Sequence, residues 1–211
     1  MIKFQRNSSR ITLRIEPDHF CPLLENRTFT MEVWLKIQWN APGPGIIPLL
    51  SFAIPGCGTD DEVISVLYER YLAGSAGFVV TLPQPDYNSW PYPVGVPDYG
   101  HAFTDGGWHH LAVLMHIDGW MGDGNRGVSV YTDGIPQGSA FDQNLGWPPC
   151  ASALGSLALG QRHSAFNTLH NGSTQNGKVF MTEFRLWNRE LVLSEIAASF
   201  NQRWRPTLSV R

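Results

Sequence analysis

Strict alternation between positions 29 and 37 constrains the fold of this chain more than any other feature. The residues between the apolar positions are polar or amphipathic, and the apolar positions themselves are Phe29, Met31, Val33, Leu35 and Ile37. Successive side chains of a β-strand point to opposite faces. The stretch therefore predicts a strand whose odd-numbered side chains enter the space between two stacked sheets.

Further short runs, apolar or alternating, predict strands along the rest of the chain. These runs occupy residues 46–52, 62–68, 77–82, 108–117, 128–132, 156–159 and 179–186. The run 108–117 alternates through Leu111, Val113 and Met115, and the run 179–186 alternates through Phe180 and Phe184. Many short strands of this kind are typical of a sandwich or a barrel.

Turn-forming residues separate these runs, and the longest such stretch, residues 83–100, is predicted to be a loop. The pair Asp133 and Gly134 predicts a tight hairpin turn. One helix is expected over residues 194–203, with the Ser194 hydroxyl as its N-cap. The chain is therefore expected to be one all-β domain over residues 1–211, an antiparallel β-sandwich (jelly roll) with one short C-terminal helix.

Charge and hydropathy exclude some classes of partner. The formal net charge is −3, so no basic field exists to gather phosphates, and nucleic acid is not an expected partner. No apolar run reaches the roughly 18 residues that a membrane span needs. The first residues contain no signal-peptide core. The localisation stays undetermined, with three glycosylation-type triplets, at Asn7, Asn26 and Asn171, slightly favouring an extracellular one.

The cysteines do not form a pattern that binds metal. Cys21, Cys57 and Cys150 contain no Cys-x-x-Cys pair, so a zinc site is unsupported. Three buried thiols are the preferred interpretation, because free cysteine is among the most buried residue types. One disulfide with a single remaining thiol is the alternative.

Three stretches in a fixed order resemble a laminin-G-like or pentraxin-like domain of the concanavalin A-like superfamily. They are Phe29 to Leu35, then Gly107 to Val113 followed by Val128 to Gly134, and finally Leu157 to Gly160 with Gly177 to Ile196. The resemblance covers about residues 25–200. It implies two curved sheets, but it does not imply a function, since this fold carries lectins, adhesion modules, toxin domains and glycosidases.

The resemblance also suggests roles for the segment that begins at Trp108. In such domains the Trp-His-His strand crosses the sheet, so Trp108 is expected to anchor the core, where aromatic side chains predominate. His109 and His110 are expected to be strand residues with satisfied hydrogen bonds. No partner carboxylate was identified at a fixed offset from either histidine, so neither is expected to catalyse or to bind metal.

Pentraxin-like domains bind calcium through two chain regions, and only one of them is acidic here. Asp60 and Asp61 occupy the first region, whereas the second contains Arg162, whose charge would repel Ca²⁺. We expect the guanidinium of Arg162 to approach these carboxylates and replace the cation. A solvated turn at Asp60 and Asp61 is the alternative. No cofactor is expected otherwise, although calcium could bind at another site on the rim.

Loop aromatics are the candidate ligand contacts, because sugars stack on aromatic faces and are oriented by nearby polar groups. The long loop contributes the densest group, and two Gly-rich or Pro-rich turns supply the others. The candidates are Trp90, Tyr92, Tyr99, Asp105, Trp120, Asn125 and Trp147. The alternative for each aromatic is a lid that packs on the sandwich edge.

Binding is favoured over catalysis. Glycosidases of this superfamily need two or three carboxylates on the same face of one strand, and no Glu-x-Asp-x-x-Glu pattern occurs. Glu183 instead has Arg185 as a same-face neighbour and is expected to form a surface ion pair. The sequence thus predicts a non-catalytic module for a glycan or glycoprotein. A protein-adhesion or assembly module, with homo-oligomerisation, is the alternative, and a polysaccharide-cleaving enzyme is the least favoured.

Overall fold

The structure is a computed structural model that describes residues 3–7, 10–14, 28–40, 44–53, 62–70, 76–82, 92–97, 103, 105–116, 127–141, 156–160 and 177–202. These residues form twelve strands and one helix. They are β1 (Lys3–Asn7), β2 (Arg10–Arg14), β3 (Thr28–Trp39), β4 (Gly45–Ala53), β5 (Glu62–Arg70), β6 (Ala76–Leu82), β7 (Tyr92–Pro97), β8 (His109–His116), β9 (Gly127–Thr132), β10 (Ile135–Phe141), β11 (Ser156–Leu159), β12 (Gly177–Trp187) and α1 (Leu193–Asn201).

The strands pair into two antiparallel sheets, which confirms the concanavalin A-like β-sandwich. The front sheet has the order β10-β9-β8-β3-β12, and the back sheet has the order β1-β2-β11-β4-β5-β6-β7. Neighbours in both sheets are often far apart in sequence, as β3 and β12 are. This long-range pairing positions residues from distant segments side by side.

The core lies between the sheets and is built from the alternating residues of β3. The five apolar side chains at positions 29, 31, 33, 35 and 37 are at most 2% exposed, as the alternation predicted. Leu111, Val113 and Met115 of β8 face the same space, opposite Tyr68 and Phe78 of the back sheet. Burying such side chains removes apolar surface from water and contributes about 1.5–3 kcal/mol for each one.

A β-bulge in β12 reverses the predicted alternation of that strand. The register with β3 shifts between Thr182 and Arg185, and Glu183 has a φ of 51°. Before the bulge Val179 and Met181 pack against the core, and after it Phe184 and Leu186 do so. Phe180 is consequently 44% exposed on the outer face of the front sheet, where an uninterrupted alternation would have buried it.

Four strands were missed by the sequence analysis. β1 and β2 are only five residues long each, β7 lies within the predicted loop 83–100, and β10 was not predicted; both β7 and β10 contain proline and glycine. β7 and β10 are edge strands, where proline can be accommodated because one side of the strand has no hydrogen-bonded neighbour. The predicted loop 83–100 therefore contains a strand at Tyr92–Pro97.

The predicted hairpin turn is confirmed, and the predicted helix cap is wrong. Asp133 and Gly134 have φ values of 54° and 76°, the left-handed conformation that a two-residue hairpin requires. Ser194 lies inside α1, whose N-cap is Val192. The Val192 N–H instead donates to the Glu195 carboxylate over 3.0 Å, so a glutamate one turn later performs the role predicted for serine.

Helix α1 packs against one half of the outer face of the front sheet. Ile196 of α1 and Leu191 contact Ala112 and Leu114 of β8 in a second apolar cluster. Phe200 stacks on Trp34, with ring centroids 5.8 Å apart. The other half of this face is described below as a cleft. No helix in the described ranges has the length and hydrophobicity to cross a membrane.

Candidate functional site

An open cleft of about 750 Å³ lies at one end of the sandwich. Its walls come from the ends of β3 and β5, the segment before β8 and the outer face of β12. The lining residues are Lys36, Ile37, Gln38, Trp39, Asn40, Arg70, Asp105, Gly106, Trp108 and Phe180. Strand pairing brings these segments together, since Phe180 lies directly opposite Lys36 in the β3–β12 register.

Two exposed aromatic side chains give the cleft its apolar surface. Trp108 is 42% exposed and Phe180 is 44% exposed. The prediction that Trp108 anchors the core is therefore wrong, because β8 begins at His109 and leaves Trp108 on the rim. Two exposed aromatic rings in one cleft form a surface suited to stacking on a flat ligand.

Three charged side chains line the same cleft. The guanidinium of Arg70 lies 4.1 Å from the centre of the Trp39 ring, in cation–π geometry, so Trp39 supports it from the core side. Lys36 projects from the outer face of β3. The hydrogen bond with His109 is the largest cause that lowers the pKa of Asp105, followed by the Gly107 N–H, and the charge of Lys36 adds to them.

His109 lies between two carboxylates at the edge of this cleft. Its Nδ1 is 2.7 Å from Asp133 Oδ2, and its Nε2 is 2.9 Å from Asp105 Oδ1. The hydrogen bond to Asp133 is the largest cause that raises the pKa of His109 to about 9, against the opposing effect of burial, and the bond to Asp105 adds to it. His109 thus has two carboxylate partners, contrary to the sequence analysis.

A separate group of polar side chains is buried beneath α1. Glu32 is 1% exposed and accepts hydrogen bonds from Trp187 Nε1, over 2.7 Å, and from Ser199 Oγ, over 3.3 Å. Nε2 of His110 lies 3.4 Å from Glu32 Oε1. Burial favours the neutral form of Glu32, but its contacts with His110, Trp187 and Ser199 outweigh this and lower its pKa below 4.5. This group is covered by the helix and does not line the cleft.

Of the predicted ligand contacts, Asp105 is the one that the structure brings into the cleft. The backbone of Tyr92 begins β7 instead of lying in a loop. The other candidates, Trp90, Tyr99, Trp120, Asn125 and Trp147, lie outside the described residues, as do Asp60, Asp61 and Arg162 of the predicted calcium region. Within the described ranges, no group of three or more His, Cys, Asp or Glu side chains is arranged so that it could hold a metal ion. The expected ion pair between Glu183 and Arg185 is present at 3.0 Å.

The sequence analysis missed the main cleft residues, Lys36, Arg70, Trp108 and Phe180. Lys36 had a usable signal, since it is an even-numbered polar residue on a strand with a buried odd-numbered face. Phe180 had none, because its exposure depends on the bulge three residues later. Arg70 reaches the cleft because β5 ends there beside Trp39. This contact joins two distant segments, so the sequence around Arg70 gave no signal for it.

Comparison with known families matches nearly the whole chain. A family model described as Laminin_G_3, of the concanavalin A-like lectin/glucanases superfamily, matches residues 9–197. The match extends from just before β2 into α1 and includes every element that lines the cleft. No curated protein matches the sequence.

Solved structures with the same architecture include a pentraxin and several toxin domains. The native heptameric SAP-like pentraxin from Limulus polyphemus is 17% identical, with a TM-score of 0.52 over 81% of this chain and 68% of that one. The botulinum neurotoxin serotype D/C binding domain is 11% identical, with a TM-score of 0.60 over 95% of this chain and 45% of that one. The chain thus spans less than half of the toxin domain.

Two further structures show the binding domain of botulinum neurotoxin DC with different partners. One is in complex with rat synaptotagmin II and one is in complex with SialylT, each 11% identical with a TM-score of 0.59 over 96% of this chain and 45% of that one. At this level of identity the similarity establishes the fold alone.

Proposed function

Because the chain belongs to the Laminin_G_3 family of the concanavalin A-like lectin/glucanases superfamily, we propose that it is a non-catalytic binding module whose cleft takes carbohydrate. The observation that carries the proposal is the pair of half-exposed aromatic rings, Trp108 and Phe180, in a cleft that also contains Lys36, Arg70 and Asp105. Solved relatives with the same fold include one bound to SialylT.

The chemistry of the cleft suits a sugar. The apolar face of a pyranose ring stacks on an aromatic side chain, and its hydroxyl groups require directed donors and acceptors. Trp108 and Phe180 supply the stacking surfaces. Lys36 and Arg70 supply donors, and the Asp105 carboxylate supplies an acceptor. Such a mixed apolar and polar surface favours an oligosaccharide over a purely apolar ligand.

The same arrangement argues against glycoside hydrolysis in this cleft. That reaction needs an acid and a nucleophile or base whose carboxyl groups are about 5 to 9 Å apart. Among the described lining residues Asp105 is the single carboxylate, and it is already hydrogen-bonded to His109. Glu32, the buried carboxylate of the front sheet, lies under α1 and not in the cleft.

Isothermal titration calorimetry with a panel of lactose, cellotriose, maltotriose and 3′-sialyllactose, preceded by a glycan array, tests the proposal. We expect at least one oligosaccharide to bind, and Trp108→Ala and Phe180→Ala each to weaken its affinity about tenfold or more, because stacking anchors of this kind dominate binding energy. Ile135→Ala, which removes a side chain that is 63% exposed outside the cleft, is the matched control and should bind normally.

Three results would contradict the proposal. Unchanged affinity in both aromatic variants would place the sugar elsewhere. Silence on the array, together with concentration-dependent oligomerisation in sedimentation, would favour an assembly module. Release of reducing ends from a polysaccharide, abolished by Asp105→Asn, would show that the cleft is catalytic.

A further inference from the structure

We propose that His109, held as an imidazolium between Asp105 and Asp133, is the positioning residue of the cleft. His109 fixes the position of the rim segment, residues 105–108, which contributes Asp105, Gly106 and Trp108 to the walls of the cleft. The effect on ligand binding rests on the proposed function, whereas the effect on the rim segment does not.

The geometry around His109 favours its charged form. Both ring nitrogens lie within 3 Å of a carboxylate oxygen, at 2.7 Å for Asp133 and 2.9 Å for Asp105. A neutral imidazole has one N–H, so its second nitrogen would present a lone pair to a carboxylate. Two short contacts with carboxylates therefore favour two N–H donors, which is the imidazolium.

The two carboxylates differ in how firmly the fold holds them. Asp133 Oδ1 accepts the His110 N–H over 2.8 Å, and the Asp133 N–H donates to the His110 carbonyl over 2.8 Å. Asp133 is thus attached to β8 independently of His109. The Asp105 side chain is 62% exposed, against 28% for Asp133, and its other described hydrogen bond joins it to Gly107 of the same segment. His109 is accordingly the bridge from the fixed hairpin turn to the rim segment.

The backbone of the rim segment needs such a bridge. Gly106 has a φ of 75°, the left-handed conformation, and among the described residues no atom would lie within 4 Å of a Cβ at this position. Packing therefore contributes little at the tip of the turn. On the inner side Phe103, which is 1% exposed, contacts the His109 ring edge-on with centroids 5.4 Å apart. His109 is held by the core on one side and holds the rim on the other.

The charged groups described around His109 are Asp105, Asp133 and, beside Asp105, Lys36. The pKa of His109 is raised from 6.5 to about 9, first by the hydrogen bond to Asp133. A group whose pKa is raised by folding contributes fully below its unfolded pKa, and its contribution disappears as the pH rises through the folded value. His109 should therefore contact both carboxylates at neutral pH. Near pH 9 it loses a proton, and the more exposed contact, with Asp105, should break.

The test follows the rim segment and ligand affinity together from pH 7 to pH 10. In ¹⁵N-labelled protein, the Gly107 amide and the Trp108 indole should titrate with a midpoint near 9. The affinity for the best-binding oligosaccharide of the panel should fall about tenfold over the same interval, as expected for losing a hydrogen bond between charged groups. His109→Gln should abolish the midpoint near 9 in both readouts and bind about tenfold more weakly at pH 7. Arg185→Gln, at a surface ion pair on β12, should keep the wild-type profile.

Two results would contradict a positioning role for His109. Rim signals without a midpoint near 9, or wild-type affinity and rim signals in His109→Gln, would overturn it. If His109→Gln fails to fold, the wild-type pH profile decides. If no oligosaccharide binds but the rim signals titrate as expected, the proposed carbohydrate function fails and the positioning role of His109 stands.

Discussion

The two halves of the outer face of the front sheet are built from the same strands, but one half is buried under α1 and the other is exposed in the cleft. In the covered half Glu32 and Trp34 of β3 lie beneath α1, and Glu32 is 1% exposed. In the open half Lys36 of the same strand face and Phe180 of β12 line the cleft. The alternation of β3 is identical in both halves. The difference comes from where a single helix packs.

The two neighbouring histidines of β8 show a second contrast, between opposite faces of one strand. His110 points to the covered half, is 2% exposed and lies 3.4 Å from the buried carboxylate of Glu32. His109 points the other way and lies between the carboxylates of Asp105 and Asp133 at the cleft edge. A strand places successive side chains on opposite faces, so adjacent identical residues have unrelated roles. One belongs to the packing of the helix and one to the cleft.

Truncating an apolar side chain that packs α1 against the covered half should have the largest effect on stability. Ile196→Ala removes a fully buried side chain from between α1 and β8 and should lower the free energy of unfolding by about 3 kcal/mol, through lost burial and the cavity that remains. Urea denaturation followed by circular dichroism measures this. Val192→Ala, at a 59% exposed position beside the same helix, should stay within about 0.5 kcal/mol. Equal effects would mean that α1 does not pack as described.

Neutralising the buried carboxylate of the covered half should have an intermediate, pH-dependent effect. Glu32→Gln weakens hydrogen bonds from Trp187 and Ser199 to a charged acceptor, which should cost about 2 kcal/mol at pH 7. Because folding lowers the pKa of Glu32, its contribution is present above 4.5 and is lost as the pH falls through the lower folded pKa. Urea denaturation of both proteins at pH 7 and pH 3 should show the difference narrowing in acid.

The matched position in the open half provides the control for that measurement. Gln38 lies on the same face of β3 but is exposed at the cleft, so Gln38→Ala should change stability by no more than about 0.5 kcal/mol at either pH. A gap between wild type and Glu32→Gln that is constant with pH would show that Glu32 is not ionised under the helix.

Truncating an aromatic ring in the open half should have the smallest effect on stability. Phe180→Ala removes a ring that is 44% exposed and should cost about 1 kcal/mol. Phe184→Ala, four positions later on the same strand but on the core side of the bulge, should cost at least about twice as much. Thermal denaturation of the two variants compares them directly. The reverse order would place the bulge elsewhere in β12.

Much of the fold follows from local sequence, and the cleft does not. The inward-facing residues of β3 and β8 and the Asp133–Gly134 turn could be predicted because their signals are periods and turn preferences within a few residues. Strands β7 and β10 were missed because proline and glycine weaken that signal, although an edge position tolerates both.

The sequence by itself predicted a β-sandwich, because period-two burial on β3 occurs in a chain of many short strands separated by turns. Tertiary structure decided which polar face would be covered and which would stay open. The docking of α1 buried Glu32, the bulge at Glu183 turned Phe180 outward, and the pairing of β8 with β9 brought Asp133 to the side of His109 opposite Asp105. The burial of Glu32, the exposure of Phe180 and the position of Asp133 depend on contacts between segments far apart in the chain, which no local pattern encodes.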